Sequence, residues 1–114
     1  MKHTQAFIFN DTNPIEDLGE GISRQMMGFN QQIMMVKVIF EAGAIGYLHD
    51  HFHSQVTYVE SGVFEITIGD EIQQVKAGDC YFMQPNVKHG ARCIKPGALI
   101  DTFSPCREDF LANS

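Results

Sequence analysis

Alternation of apolar and polar positions dominates this chain, and helical periodicity is nearly absent. In Ile33-Met-Met-Val-Lys-Val-Ile-Phe-Glu41, the side chains of Val36, Val38 and Phe40 fall on one face with Lys37 and Glu41 opposite, as expected of a strand with one buried side. Further β-rich runs follow at Gln55–Glu60, Val63–Ile68, Cys80–Met83, Val87–Ile94 and Ala98–Ser104. Each is closed by turn formers: Glu41-Ala-Gly43, Ser61-Gly62, Gly69-Asp70, Ala77-Gly78-Asp79, Gln84-Pro85-Asn86 and Lys95-Pro96-Gly97 supply the positive or fixed φ that a reversal needs. Strands this short and this evenly spaced predict an all-β domain, either a closed barrel or two packed sheets. Ahead of them, Ala6-Phe-Ile-Phe9 is an apolar island followed by an acidic stretch to Glu20. Residues 1–20 therefore read as a leading strand or arm, and residues 21–111 as the barrel. At the other end, Ser104-Pro105 is placed to cap and start one helical turn, with Glu108 and Asp109 in its first turn.

A chain of 114 residues holds one core and little more, which predicts a single domain. Its 8 basic and 14 acidic residues give a net charge of -6, with Lys and Arg scattered singly, so a phosphate-binding face is missing and nucleic acid is not expected as a partner. No apolar run approaches the roughly 20 residues of a bilayer-spanning helix, and Met-Lys-His-Thr-Gln-Ala-Phe lacks the apolar centre of a signal peptide. A cytoplasmic protein without a membrane partner is the expectation. Cys80, Cys93 and Cys106 are odd in number and lack C-x-x-C spacing, so they read as thiols and not as a disulfide framework or a zinc knuckle.

The chemistry concentrates in His49-Asp-His51-Phe-His-Ser-Gln55, which crowds three imidazoles and a carboxamide into seven residues. Two imidazoles at i and i+2 on an extended strand project from one face and can reach one ion. His49 with His51 and His51 with His53 satisfy this equally, because parity does not separate them. A ligand from elsewhere must complete the set, and His89, after the turn Gln84-Pro85-Asn86, is the candidate. The competing reading is a polar barrel mouth that holds no metal. A second constellation lies in Ala98-Leu-Ile-Asp101-Thr-Phe103-Ser-Pro-Cys-Arg107. Asp101 interrupts an apolar strand, where it either meets solvent or is kept inside for proton transfer. Phe103 shares its face, and Arg107 is placed either to pair with a substrate carboxylate or to form a surface salt bridge with Glu108, Asp109 or Asp101.

The spacings Gly43-x5-His49-x-His51-x3-Gln55-x6-Gly62 and Gly78-x5-Gln84-x-Asn86-x2-His89 resemble the two motifs of the cupins. That likeness implies a jelly-roll (double-stranded β-helix) barrel in which His49, His51, Gln55 and His89 bind one metal and His53 faces away or supports the ligands from behind. Gln55 stands where many cupins carry Glu, Gln84 where many carry Pro, and Asn86 where many carry Gly. The run Gly21-Ile-Ser-Arg-Gln-Met-Met-Gly-Phe-Asn, together with Asp101-Thr-Phe103-Ser-Pro-Cys-Arg107-Glu-Asp-Phe-Leu111, is similar to the KdgF-type cupins of pectin and alginate degradation. Members of that family convert the 4,5-unsaturated uronate monosaccharides left by polysaccharide lyases into linear keto acids. The resemblance implies metal ligation by His49, His51, Gln55 and His89, with Asp101, Phe103 and Arg107 as active-site residues. The cofactor would be one divalent transition ion, Zn, Ni, Mn or Fe, because imidazole and amide oxygen accept all of them. An iron dioxygenase is the rival enzyme, although its usual carboxylate is missing at Gln55. A sugar- or effector-binding module is the non-enzymatic rival. Ala6–Phe9 and the methionines Met26, Met27, Met34 and Met35 suggest a homodimer.

Overall fold

The computed structural model describes residues 2–111, and its described residues form strands and two short 3-10 turns, at Asn10–Thr12 and Glu108–Leu111. The strands are β1 (Glu16–Gly19), β2 (Ile22–Phe29), β3 (Met34–Phe40), β4 (Ile45–His49), β5 (Ser54–Ile68), β6 (Glu71–Lys76), β7 (Cys80–Met83) and β8 (His89–Ser104). The period-two pattern of β3 is realised directly: Met34, Val36 and Phe40 are buried, and Lys37 faces outward to pair with Glu60 at 3.3 Å. Strand β1 joins the same antiparallel sheet by pairing with β2, and Thr4 binds the Phe29 carbonyl from the segment before it. The island Ala6–Phe9 lies outside any strand, with Phe7 79% and Phe9 69% exposed.

Strands β5 and β8 are the spine of the molecule. They run antiparallel from Ser54 against Ser104 to Ile68 against His89. The first half of β5 pairs with β7 and its second half with β6, while the first half of β8 pairs with β4 and its second half with β3. Two faces result, β1-β2-β3-β8-β5-β7 and β4-β8-β5-β6, joined through the bent central pair. All of these pairings are antiparallel, as a jelly-roll barrel requires.

Two expected reversals turn out to be bends. Ser61-Gly62 and Lys95-Pro96-Gly97 lie inside the long strands and face each other where the register shifts between Val59 and Phe64. Gly62 has a φ of 83°, and a Cβ there would sit 2.6 Å from the Lys95 carbonyl oxygen. A Cβ on Gly97 would collide with the Ser61 carbonyl, so glycine on both sides lets the two backbones cross in contact. The expected helical turn at Ser104-Pro105 also moves: the 3-10 turn starts at Glu108, and the Ser104 hydroxyl donates to the Gln32 carbonyl instead of capping.

Among the described residues the interior divides into two apolar clusters. Phe40, Val59, Phe64, Ile66, Cys93 and Leu99 form one, with Phe64 edge-on to Phe40. Met34, Val36, Phe103 and Cys106 form the other, with Met26, Phe29 and Phe110 packed against it. Between them, the inward positions of β5 and β8 turn polar at Gln55, Thr57 and Asp101, and that change of character opens the site.

Candidate metal centre

His49 ends β4 and pairs with His89, the first residue of β8. His51 and His53 lie in the link to β5, so the two nearest imidazoles do not share one strand as the i, i+2 spacing suggests. They converge because the loop is tied down: the Asn86 amide donates to the His51 carbonyl at 2.7 Å, which fastens the histidine loop to the turn that delivers His89. Asn86 has a φ of 68°, a conformation asparagine tolerates better than most residues. Gly90 allows β4 to lie close, since a Cβ there would meet the Gly46 carbonyl oxygen at 2.9 Å.

The three rings of His49, His51 and His89 bring one ligand atom each to within 4.8 Å of one another. His49 Nδ1 donates to the Tyr47 carbonyl at 2.8 Å, His51 Nδ1 to that of His53 at 3.0 Å and His89 Nδ1 to that of Val87 at 2.9 Å. A carbonyl only accepts, so each proton sits on Nδ1 and each Nε2 carries a lone pair. Such backbone anchoring fixes tautomer and ring orientation as it does around protein-bound metals. Nε2 of His89 is buried without a hydrogen-bond partner among the described residues, a costly state for a polar atom unless something else occupies its lone pair. Burial lowers the pKa of both His51 and His89, keeping them in the neutral form that ligation needs. These three histidines could hold a metal ion.

Gln55 sits beside them. Its Oε1 lies 2.9 Å from His51 Nε2, its Nε2 donates to the Thr57 hydroxyl at 2.9 Å, and Thr57 donates to Asp101 Oδ1 at 2.7 Å. The direction of this relay follows from its end: an ionised Asp101 only accepts, so Thr57 donates to it and accepts from the Gln55 amide. The amide oxygen is left facing the lone pair of His51. Two acceptors opposed at that distance suit a cation between or beside them, and the donor set therefore fits a divalent ion.

Asp101 lies across from Thr57 on β8, with its carboxyl deep among protein groups and part of the residue open to the cavity. Burial raises its pKa to about 6, against the opposing pull of Thr57, Gln55, His49 and Arg107. Phe103, one pleat further on, is buried with its ring 5.7 Å from that of His51. Arg107 forms a bidentate pair with Asp109 at 2.9 and 2.8 Å, which is one of the salt bridges anticipated from spacing. It is nonetheless not a surface group: its side chain is 12% exposed, stacks 5.0 Å from the Phe103 ring centroid and lines the same cavity as Asp101.

That cavity has a volume of about 270 Å³. His49, Gln55, His89, Asp101, Phe103 and Arg107 all border it. His51 stands instead at a neighbouring open cleft shared with His53 and Arg107. His53 does not face outward: it is 6% exposed, stacks on Phe52 at 4.0 Å and supports His51 through its carbonyl. Cys80, Cys93 and Cys106 are free thiols, and burial pushes the latter two up.

Sequence reasoning passed over several residues of this site. Thr57 links Gln55 to Asp101, and its position two residues after Gln55 on the same strand face was the available signal. Tyr81 borders the cavity and is held protonated, its pKa raised by burial and by the nearby Asp101 carboxylate. Arg24 and Phe110 complete the wall beside Arg107. Arg24 interrupts the inward series Ile22, Arg24, Met26 just as Asp101 interrupts its own strand, and that break in alternation was legible.

Residues 36–103 match the cupin domain family. The pectin degradation protein KdgF of Dickeya dadantii (strain 3937) is 44% identical over 109 residues, covering 94% of this chain and 99% of that protein. Among solved structures, an RmlC-like cupin from Shewanella frigidimarina superposes with a TM-score of 0.94 at 50% identity, over 96% of this chain and 99% of the other. KdgF from Halomonas sp. gives a TM-score of 0.89 at 34% identity, over 94% of this chain and 99% of that one. Whole-length agreement in both sequence and fold places this chain among the cupins and, within them, in the KdgF family.

Proposed function

We propose that this protein is a metal-dependent isomerase of pectin or alginate breakdown that opens 4,5-unsaturated uronate monosaccharides to linear keto acids. The observation that carries this reading is the meeting, around one cavity of about 270 Å³, of three ligand-ready groups, His49, His89 and Gln55, with a carboxyl and a guanidinium. Support also comes from KdgF of Dickeya dadantii, a named pectin degradation protein that matches 94% of this chain. The volume lies below that of pockets for drug-sized ligands and suits a single sugar ring.

The reaction is an isomerisation and needs no co-reactant. The bond between C1 and the ring oxygen breaks, the proton of the C1 hydroxyl leaves, and a proton arrives on C4, so that an aldehyde and a ketone replace the hemiacetal and the enol ether. His49, His51, Gln55 and His89 would hold the divalent ion, Zn, Ni, Mn or Fe, which when bound would supply Lewis acidity to the site. The amide at Gln55 adds no negative charge, so that acidity is undiminished. Asp101 takes the hydroxyl proton and returns a proton to C4, a duty suited to a carboxyl with a pKa near neutrality. Arg107 pairs with the substrate carboxylate, and its stack on Phe103 holds the guanidinium plane in place. Phe103 closes the apolar side of the pocket. The protein acts in the cytoplasm, as a homodimer.

Incubation with lyase-generated unsaturated monosaccharide tests this directly through loss of the conjugated-alkene absorbance. A chelator should abolish the loss, and Asp101→Asn should retain the bound metal while turnover falls by about 100-fold or more. Full activity in the Asp101→Asn protein would reject the proton role, and full activity after chelation would reject the metal.

A further inference from the structure

Arg24 sits on β2 opposite Val38, facing inward between Ile22 and Met26, and it borders the cavity that Asp101 and Arg107 share. Its side chain is only 16% exposed. The carbon at the centre of its guanidinium lies 4.5 Å from the Phe110 ring centroid, and that of Arg107 lies 4.2 Å from the same centroid. Phe110 itself stands edge-on to Phe103 at 5.6 Å. One aromatic ring, braced by the barrel, thus carries two guanidinium groups at the cavity wall.

A purely structural account of Arg24 is weak. Its partner is Glu16 on β1, which binds through a single carboxylate oxygen at 3.2 Å from Nε and 2.7 Å from Nη2. Glu16 is 59% exposed, and an ion pair with so open a partner returns little stability for a largely buried cation. An apolar side chain between Ile22 and Met26 would serve the barrel at lower cost. Glu16 uses two of the five N–H donors of the Arg24 fork, as Asp109 does with Arg107. Much of the remaining wall is apolar, formed by Leu18, Ile22, Val38, Phe40 and Leu99 beside Tyr81, and suits the C–H face of a sugar.

We propose that Arg24 is a second substrate-binding guanidinium, gripping oxygens of the sugar acid that Arg107 does not reach, with Phe110 setting the distance between the two. This rests on the uronate reading above and extends it: the site recognises a monosaccharide acid at two points on the side facing the arginines, and selects for sugar acids over short aliphatic carboxylates.

Steady-state kinetics on the unsaturated monosaccharide, with calorimetric binding of galacturonate as an unreactive probe, tests the assignment in the metal-loaded protein. Arg24→Gln should raise KM by about tenfold or more, with kcat changed less than about threefold, and should weaken galacturonate binding by a similar factor. Arg24→Lys, which keeps the charge and loses the fork, should fall between. Glu16→Gln, which removes the ionic strap between β1 and β2 and leaves the guanidinium, should shift KM by less than about threefold. An unchanged KM in Arg24→Gln, or an equal rise in Glu16→Gln, would overturn the role of Arg24 while the activity of the wild type still stood. A wild-type protein that neither turns over the unsaturated sugar nor binds galacturonate would overturn both readings.

Discussion

The carboxyl of Asp101 is pulled two ways, and the balance has a measurable sign. Burial favours its neutral form and raises its pKa to about 6, while Thr57, Gln55, His49 and Arg107 favour the anion. In the metal-free protein, the folded state therefore binds more protons at this group than the unfolded chain does between the ordinary carboxyl value and 6. Its contribution to stability is complete below that ordinary value and is lost as pH rises through 6. His51 and His89, held below their ordinary value of 6.5, act in the opposite sense and cost stability as pH falls below that value. Asp101→Asn removes only the first contribution. Denaturant melts of the metal-free proteins should show the variant gaining on the wild type between pH 5 and pH 8 by on the order of 1–2 kcal/mol. An unchanged difference across that range would mean that the carboxyl is not desolvated.

Asp101 and the histidines were legible one by one, because each breaks an apolar pattern. Their partnership was not. The first half of β5 carries Gln55, Thr57 and Val59 inward and leaves Val56 and Tyr58 half exposed, which inverts the usual sorting by polarity. Only the relay from Gln55 through Thr57 to Asp101, built across two strands 44 residues apart in sequence, makes a polar interior tolerable. A rule that reads one strand at a time has no access to it. Thr57→Val keeps shape and removes the link. It should leave metal content intact and reduce turnover by about tenfold or more, because the carboxyl loses its hydroxyl donor; kinetics together with elemental analysis would check it, and unaltered turnover would detach Thr57 from the site.

At the scale of elements, the alternating pattern located β3 and β7 well and the cores of β5 and β8, but divided each of the two long strands in half. Turn-forming residues meet the local needs of a reversal and of a bend alike. What separates the two is the partner strand: Gly62 lies against Lys95 and Pro96, and Gly97 against Ser61, so both chains bend together and pairing continues on either side. Strands β2 and β6 were passed over because apolar and polar residues mix along them, while β1 was foreseen only as part of a leading strand or arm and β4 only as the extended setting of His49, since both leave most of their side chains exposed. The crossing predicts a steep response to one methyl group. Gly97→Ala should lower stability by about 3 kcal/mol or more, since its Cβ meets backbone that cannot move without breaking the register. Gly78→Ala, with open space around its Cβ and only its φ of 95° against it, should cost less. Thermal melts of the two variants would compare them directly, and an equal loss would remove the close crossing from the account.

For the molecule as a whole, the two apolar clusters act as fixed ends, and the polar span between them hangs the site on strands of both faces. Charge is arranged to match: in a chain of net charge -6 the cavity wall carries Arg24 and Arg107, each paired with one carboxylate, Glu16 and Asp109, and each keeping further N–H donors for a small anion. The methionines divide between roles, with Met34 in the core, Met26 packed against it and Met35 partly exposed, so they speak less for a homodimer than the exposed Phe7 and Phe9 and the half-exposed Val56, Tyr58 and Phe82 do. Val56 and Phe82 are cross-strand neighbours on the outer face of β5 and β7. Sedimentation should find a dimer that Tyr58→Lys together with Phe82→Lys converts to monomer, and a monomeric wild type would contradict that assignment.

The central claim is that His49, His51, Gln55 and His89 converge on one cation. Diffraction from crystals soaked in a divalent transition metal, recorded at its absorption edge, tests it with the least interpretation. One strong anomalous peak per chain is expected, about 2.0–2.3 Å from Nε2 of each of the three histidines and from Oε1 of Gln55. A peak bound elsewhere, or an occupied site that Gln55 does not approach, would contradict it.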